Sequence, residues 1–244
     1  MLLLAYAGAS DAGESATGAV RFLLDQLSVS NLARIEMEEF LDFTVARPHV
    51  RLHDGNRQEI VWPNHEFFSV RMDSQPTDLV VGLGIEPHLR WKAYSRYILE
   101  FVRSIGARMV VLLGAYLDDV IYSQPVQVAG FSASPDLSSE FHLGVSTYEG
   151  PTGIVGILSH MLSEAGVPAL SLWARLPHYV TTTPNWRGAL ALLHGVERVT
   201  ELPLDLSSME SMAAEFDVTV SELIGGNPQL SAYVRELKKR AFSQ

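Results

Sequence analysis

Leu2 to Ala7 is an unbroken apolar run closed by Gly8, and that pattern limits the folds open to the chain. A strand with water on one face alternates polar and apolar residues; a strand apolar throughout is covered on both faces. The pattern recurs at Asp78 to Gly84, at Met109 to Leu113 ending in Gly114, and at Ala169 to Ala174. Segments of helical period stand between these runs. Ala19, Val20, Leu23, Leu24 and Leu27 share one face of a helix over roughly Glu14 to Leu27. Tyr94, Ile98, Phe101, Val102 and Ile105 do the same in a helix over Trp91 to Ile105, with Gly106 in the C-cap position. Leu192, Val196 and Val199 mark a third over Asn185 to Val199. Strands alternating with helices imply parallel βαβ units, with the sheet in the middle and helices on both faces.

The remaining segments are less regular. Thr44 to Trp62 holds two strand-like runs around His53-Asp54-Gly55-Asn56, and Asp-Gly between such runs signals a hairpin. That hairpin is expected to extend an edge of the sheet, and Glu66 to Met72 reads as another strand. Val126 to Phe131 and Leu143 to Thr147 read as further strands. After Gly150 a helix is expected with Pro151 in its first turn and a stripe of Ile154, Ile157, Leu158, Met161, Leu162 and Ala165. From Glu201 onward strand signals cease, and Asp205 to Phe216, Val220 to Leu223 and Pro228 to Phe242 read as short helices. The chain therefore divides into an α/β domain over residues 1–200 and a helical extension over 201–244 packed on it.

Composition excludes several functions. With 47% hydrophobic residues and a net charge of -10, the chain can bury a large core and repels phosphate backbones, so nucleic acid is a poor partner. There is no cysteine, which removes disulfides, thiol nucleophiles and thiolate metal sites and is in keeping with a cytoplasmic location. No apolar run approaches the roughly 20 residues of a membrane-spanning helix. No His-Glu-x-x-His pattern occurs, so no metal is expected; no cofactor is expected either.

The motifs narrow further. Gly8 to Ser15 has the spacing of a P-loop, but Glu14 stands where a lysine must reach the phosphates. Read as a nucleophile elbow around Ser10, the same turn has Ala12 in place of the last glycine. Gly82-Leu83-Gly84 begins a dinucleotide fingerprint that Pro87 breaks. Glu149 to Gly153 is open to two readings. The amides at a helix start could bind an anion, with Thr152 adding a hydroxyl and Glu149 an acid or base, or the same residues could only cap the helix. His178 and Tyr179, after Pro177, lie beyond a strand where ligands bind in open α/β sheets, and His178 could act as a base or merely bond a neighbouring loop. Glu86, after Gly84, has the same kind of position, as has Asp11 in the first glycine turn. The candidate ligand-binding residues are Asp11, Glu86, Glu149, Gly150, Thr152, Gly153, His178 and Tyr179; no catalytic residue is assigned.

Several short motifs, in order, resemble the PAC2 family, related to proteasome assembly chaperone 2, and its bacterial branch in particular. They are Ser10-Asp11-Ala12-Gly13, Phe43 with Arg47-Pro48, Ile60-Val61-Trp62-Pro63 and Gly84-Ile85-Glu86-Pro87 with Arg90-Trp91. Leu113-Gly114, Glu149-Gly150-Pro151-Thr152-Gly153-Ile154, Leu172-Trp173, Pro177-His178-Tyr179 and Asn185 follow. The resemblance implies a nucleoside-phosphorylase-like fold: a three-layer α/β/α sandwich around a mixed, mostly parallel sheet, here with a C-terminal helical appendage. It also implies self-association, with a homotrimer expected, and proteasome α subunits as partners of a non-enzymatic assembly chaperone or scaffold. Chaperones of this type often end in a hydrophobic-Tyr-any motif, whereas this chain has Phe242-Ser243-Gln244. The alternative is a small-molecule site for a nucleoside, phosphate or carboxylate at the Glu149–Gly153 and Pro177–Tyr179 turns.

Overall fold

In the computed structural model, residues 1–53, 57–71 and 78–242 are described. Leu2–Ala7 forms β1, flanked by β6 (Leu79–Ile85) and β7 (Val110–Asp118), both parallel to it. β9 (Ala169–Pro177) runs parallel to β7, and β8 (Val128–Ser132) closes that side antiparallel to β9. On the other side β5 (Asn64–Val70) and β2 (Val29–Glu36) add two antiparallel strands. The order is β2-β5-β6-β1-β7-β9-β8, a mixed sheet parallel at its centre.

The unbroken apolar character of β1 has the expected cause. Leu3 and Ala5 face one helical layer, and Leu2, Leu4 and Tyr6 face the other. α1 (Ser15–Gln26) and α5 (Trp186–Thr200) cover the first face, while α2 (Trp91–Ser104) and α4 (Ile154–Glu164) cover the second. The result is the three-layer α/β/α sandwich implied by the motifs. Beyond it α6 (Ser207–Gly226) packs on α5, and α7 (Pro228–Phe242) packs on α6. Leu202, Leu206 and Met209 join the α1/α5 core, whereas Phe216, Val220, Ile224 and Val234 form a separate apolar cluster.

Several expectations need correction. β3 (His49–His53) and β4 (Arg57–Val61) do pair as a hairpin, but as a sheet of their own and not as an edge of the main one. The Asp54-Gly55-Asn56 turn between them, like Met72, lies outside the described residues. β2 takes the edge instead; most of its positions are exposed, and Ser30, Asn31, Arg34 and Glu36 break up any apolar run. Leu143 to Thr147 is no strand: only Gly144 bridges Phe131, and a short helix α3 (Pro135–Phe141) precedes it. β7 and β9 continue past Gly114 and Ala174, because they pair along their whole length and Gly114 leaves room for the ring of Trp173 opposite. α4 begins at Ile154, so Pro151 stands before the helix, not in its first turn. Asp205 to Phe216 and Val220 to Leu223 belong to one continuous helix, α6.

The two glycines of the rejected dinucleotide pattern serve packing. In the β5–β6 register Gly82 faces Phe67. A Cβ on Gly84 would lie 2.6 Å from His65 Cγ, and one on Gly82 would lie 2.5 Å from Leu4 Cδ2 and 3.0 Å from His65 Nε2. The missing side chains make room for the buried His65 and Phe67 rings, which stack with centroids 4.4 Å apart.

Candidate functional site

The four parallel strands point the same way, so the residues that follow β6, β1, β7 and β9 gather along one edge of the sheet. This is where open α/β sheets place ligands. Glu86, Asp11, His178 and Tyr179 all lie on that edge, but in separate assemblies.

Glu86 follows β6 and reaches across to two neighbouring turns. Its Oε2 accepts from the Ala9 amide at 3.1 Å and its Oε1 from the Ile154 amide at 2.7 Å. Gly8 has φ of 142°, and Gly153 lies so close that a Cβ there would be 2.5 Å from Ser10 Oγ and 2.9 Å from Glu86 Oε1. The first amide of α4 thus already holds an anionic partner, the Glu86 carboxylate. A carboxylate suits the positive end of a helix as well as a bound anion does. The rest of the turn faces solvent. Glu149, Gly150 and Thr152 are exposed, and Tyr148 donates its hydroxyl to the Pro151 carbonyl at 2.9 Å across Gly150. No hydrogen bond or ion pair ties the Glu149 side chain to another described residue.

Asp11 is buried beneath α1. Its Oδ1 accepts from the amides of Ala16 and Thr17 at 2.7 and 3.1 Å, and its Oδ2 from the Thr17 hydroxyl at 2.5 Å. Burial pushes its carboxyl up to about 6, against the pull of those hydrogen bonds.

His178 and Tyr179 bind the C-terminal helices to the edge. His178 Nε2 stands 2.9 Å from the Tyr233 hydroxyl and 3.1 Å from Asp119 Oδ1, and that hydroxyl donates to Asp119 at 2.9 Å. Tyr179 donates its hydroxyl to the Val120 carbonyl and accepts from the Tyr122 amide, both at 2.9 Å. The rings of His178, Tyr179 and Tyr233 meet edge to face at 5.4–5.5 Å. Sequence reasoning missed Asp119 and Tyr233, because a contact across 114 residues leaves no spacing to read. The structure therefore joins Glu86 with Gly153, and His178 with Tyr179. β6 and β9 are three strand spacings apart, about 14 Å at mid-sheet, and no hydrogen bond among the described residues joins the two groups. Nor do the described residues contain a cluster of three or more His, Asp or Glu placed to hold a metal ion. No helix is long and apolar enough to cross a membrane, among the described residues.

The most unusual surface lies elsewhere. The β3–β4 arm pairs only with itself, yet Val50 is 58%, Leu52 61%, Ile60 49% and Trp62 53% exposed. Val50 and Ile60 are direct cross-strand partners, and the Phe43 and Trp62 rings meet at 5.3 Å at the base of the arm. A two-stranded hairpin is marginal in water by itself, and concentrated apolar exposure marks an interaction surface. A second surface is acidic. Between Arg198 and Arg235 there is no lysine or arginine, while Glu201, Asp205, Glu210, Glu215, Asp217 and Glu222 all fall there. Val218 and Leu223 are exposed on α6 in the same stretch.

Comparison with known proteins agrees with this architecture. The PAC2 family model matches residues 5–224. A PAC2 family protein from Streptomyces avermitilis is 38% identical, with 96% of this chain and 98% of that one covered at a TM-score of 0.89. A proteasome-assembly chaperone homologue from Mycobacterium tuberculosis is 33% identical over 96% of this chain and 99% of its own, with a TM-score of 0.86. An archaeal proteasome activator from Pyrococcus furiosus shares the fold at 18% identity and a TM-score of 0.72, covering 91% of this chain and 92% of its own. No curated protein matches the chain. The sandwich, the order of the motifs and these matches together make the chain a member of the PAC2 family.

Proposed function

We propose that this protein is an assembly factor for proteasome-like subunits, acting by surface complementarity and not by a covalent step. The exposed apolar β3–β4 arm carries this reading. Such a surface costs solubility unless a protein covers it. The Mycobacterium tuberculosis relative, described as a proteasome-assembly chaperone homologue, gives the class of client. The same arm supports self-association into a homotrimer. Val218 and Leu223 are exposed on α6, and an apolar arm-to-helix contact of this kind closes into a ring when the rotation allows. Ser243 and Gln244 lie outside the described residues. Co-elution of the purified protein with proteasome α subunits from the same source, followed by native mass, tests this. A defined complex that disappears when full rings form is the expected result. No complex at concentrations on the order of tens of micromolar, a weak affinity for an assembly partner, overturns it.

A further inference from the structure

A cleft of about 530 Å³ opens beside the His178–Tyr233 contact, between the ends of β7 and β9 and the helices α6 and α7. Its size falls in the range of roughly 300–1,000 Å³ seen for small-molecule pockets, and it lies at the carboxyl edge of the parallel strands. It does not involve the Glu149 turn, whose helix amide is already taken by Glu86. Asn185, at the start of α5, marks it as a binding site. This residue is 4% exposed, and its Oδ1 caps α5 by accepting from the Gly188 amide at 3.0 Å. Its Nδ2 has no acceptor among the described residues and is not sealed from solvent, so it opens onto the cleft that Asn185 lines. A nearly buried amide fixed at one end and unpaired at the other is a donor already oriented for a ligand.

The charges around the cleft cancel. Arg175, Arg187 and Arg240 line it, and each gives its Nε to a carboxylate of its own: Asp118 at 2.6 Å, Asp217 at 3.0 Å and Glu236 at 3.4 Å. Asp119 accepts from the Tyr233 hydroxyl and stands 3.1 Å from His178 Nε2. No positive excess is left to draw in an anion. The pairing uses only part of each group, however. The terminal nitrogens of Arg175 and Arg240 have no acceptor among the described residues, and Oδ2 of Asp119 and of Asp217 has no donor. Gln127, exposed just before β8, keeps both ends of its side-chain amide free among the described residues. The wall thus offers donors and acceptors together, the charged ones anchored on their other side.

That combination selects the ligand. An anion uses only the donors and meets the carboxylates as well; a cation uses only the acceptors and meets the guanidiniums. An apolar body leaves both kinds of group unpaired and takes water from them, which costs free energy. A hydroxyl donates and accepts at once. Neighbouring hydroxyls on one molecule therefore satisfy a guanidinium or amide on one side and a carboxylate on the other without bringing in charge. We infer that this cleft binds a neutral polyhydroxylated molecule, a sugar. Its hydroxyls are held between the Arg175 and Arg240 guanidiniums, the Asn185 and Gln127 amides and the Asp119 and Asp217 carboxylates. The inference does not rest on the assembly-factor reading.

NMR titration of the full-length protein with glucose, galactose and ribose tests it, read at the side-chain amides of Asn185 and Gln127. Melting temperature is a poor readout here, because sugars excluded from protein surfaces raise it without binding. Gluconate, which adds a negative charge to a similar set of hydroxyls, and cyclohexanol, which has a single hydroxyl, serve as comparisons. Saturable shifts at both amides are expected from at least one sugar, with gluconate about tenfold weaker and cyclohexanol inert. Gln127→Leu should weaken sugar binding about fivefold at the Asn185 amide, the worth of one neutral hydrogen bond. Gln127 is exposed and its side chain bonds to no described residue, so this variant should fold as the native chain does. Three results overturn the inference. They are no saturable shift at either amide from any of the three sugars at about 50 mM, well above a weak millimolar Kd, gluconate or cyclohexanol binding as tightly as the best sugar, or sugar binding unchanged in Gln127→Leu.

Discussion

His65 and Asp11 are both buried ionisable groups, and they respond to acid in opposite directions. Burial holds the His65 imidazole neutral by lowering its pKa from 6.5 to about 3, while Asp11 is raised from 3.8 to about 6. Below pH 6.5 the unfolded chain takes up a proton at His65 that the folded one refuses, so stability falls as the pH falls. Between pH 6 and 3.8 the folded chain takes up a proton at Asp11 that the unfolded one lacks, so stability rises as the pH falls. Each slope approaches about 1.4 kcal/mol per pH unit. From pH 6 to 4 they offset one another, and urea midpoints for the native protein should change little. His65→Phe should gain stability over that interval and Asp11→Asn should lose it, by about 2 kcal/mol each. Parallel, flat profiles for both variants would remove this assignment. Gly84 makes a purely steric prediction at the same scale. Gly84→Ala places a Cβ 2.6 Å from the His65 ring. It should cost about 1–3 kcal/mol, as overpacking of a filled core does, read from chemical denaturation.

At the scale of elements, α4 is the helix whose start depends on another segment. Gly153 caps it without a side chain, and the Glu86 carboxylate, beyond a different strand, supplies the acceptor for the Ile154 amide. Glu86→Ala should lower stability by about 1–2 kcal/mol, the cost of two lost acceptors at a partly solvated site. It should also speed hydrogen exchange at the Ile154 and Ala9 amides while leaving α2 and α5 protected. Uniform acceleration across the sheet would mean that the link is global and not local. The Glu86 position was legible beforehand, since Gly84-Ile85-Glu86-Pro87 ends a strand. Its partner was not, because 68 residues separate the carboxylate from the amide it caps.

For the whole molecule, the arm and the sheet are separable. β3 and β4 add no strand to the seven-stranded sheet, so changes on the arm should alter association and not folding. Native mass spectrometry of the purified protein should give three times the 26.9 kDa of one chain. Val50→Arg combined with Trp62→Arg should shift it to a single chain that still unfolds cooperatively, at a lower melting temperature because association and the Phe43–Trp62 contact no longer stabilise it. A trimer that survives both substitutions would place the self-contact elsewhere.

Local pattern alone determined the parallel centre of the sheet, the helices on both faces and the family. A strand covered on both sides must be apolar throughout, and a covering helix must carry a stripe; both leave periodic traces in neighbouring residues. The motifs also placed Asp11, Glu86, His178 and Tyr179 beyond the ends of strands, and all four stand along one edge of the sheet. Only the tertiary structure decided which of them meet, that the arm stands apart from the sheet, and that Arg175, Arg187 and Arg240 share one cleft. Those facts depend on strand order and on contacts between distant segments, and no periodicity along a single chain encodes them.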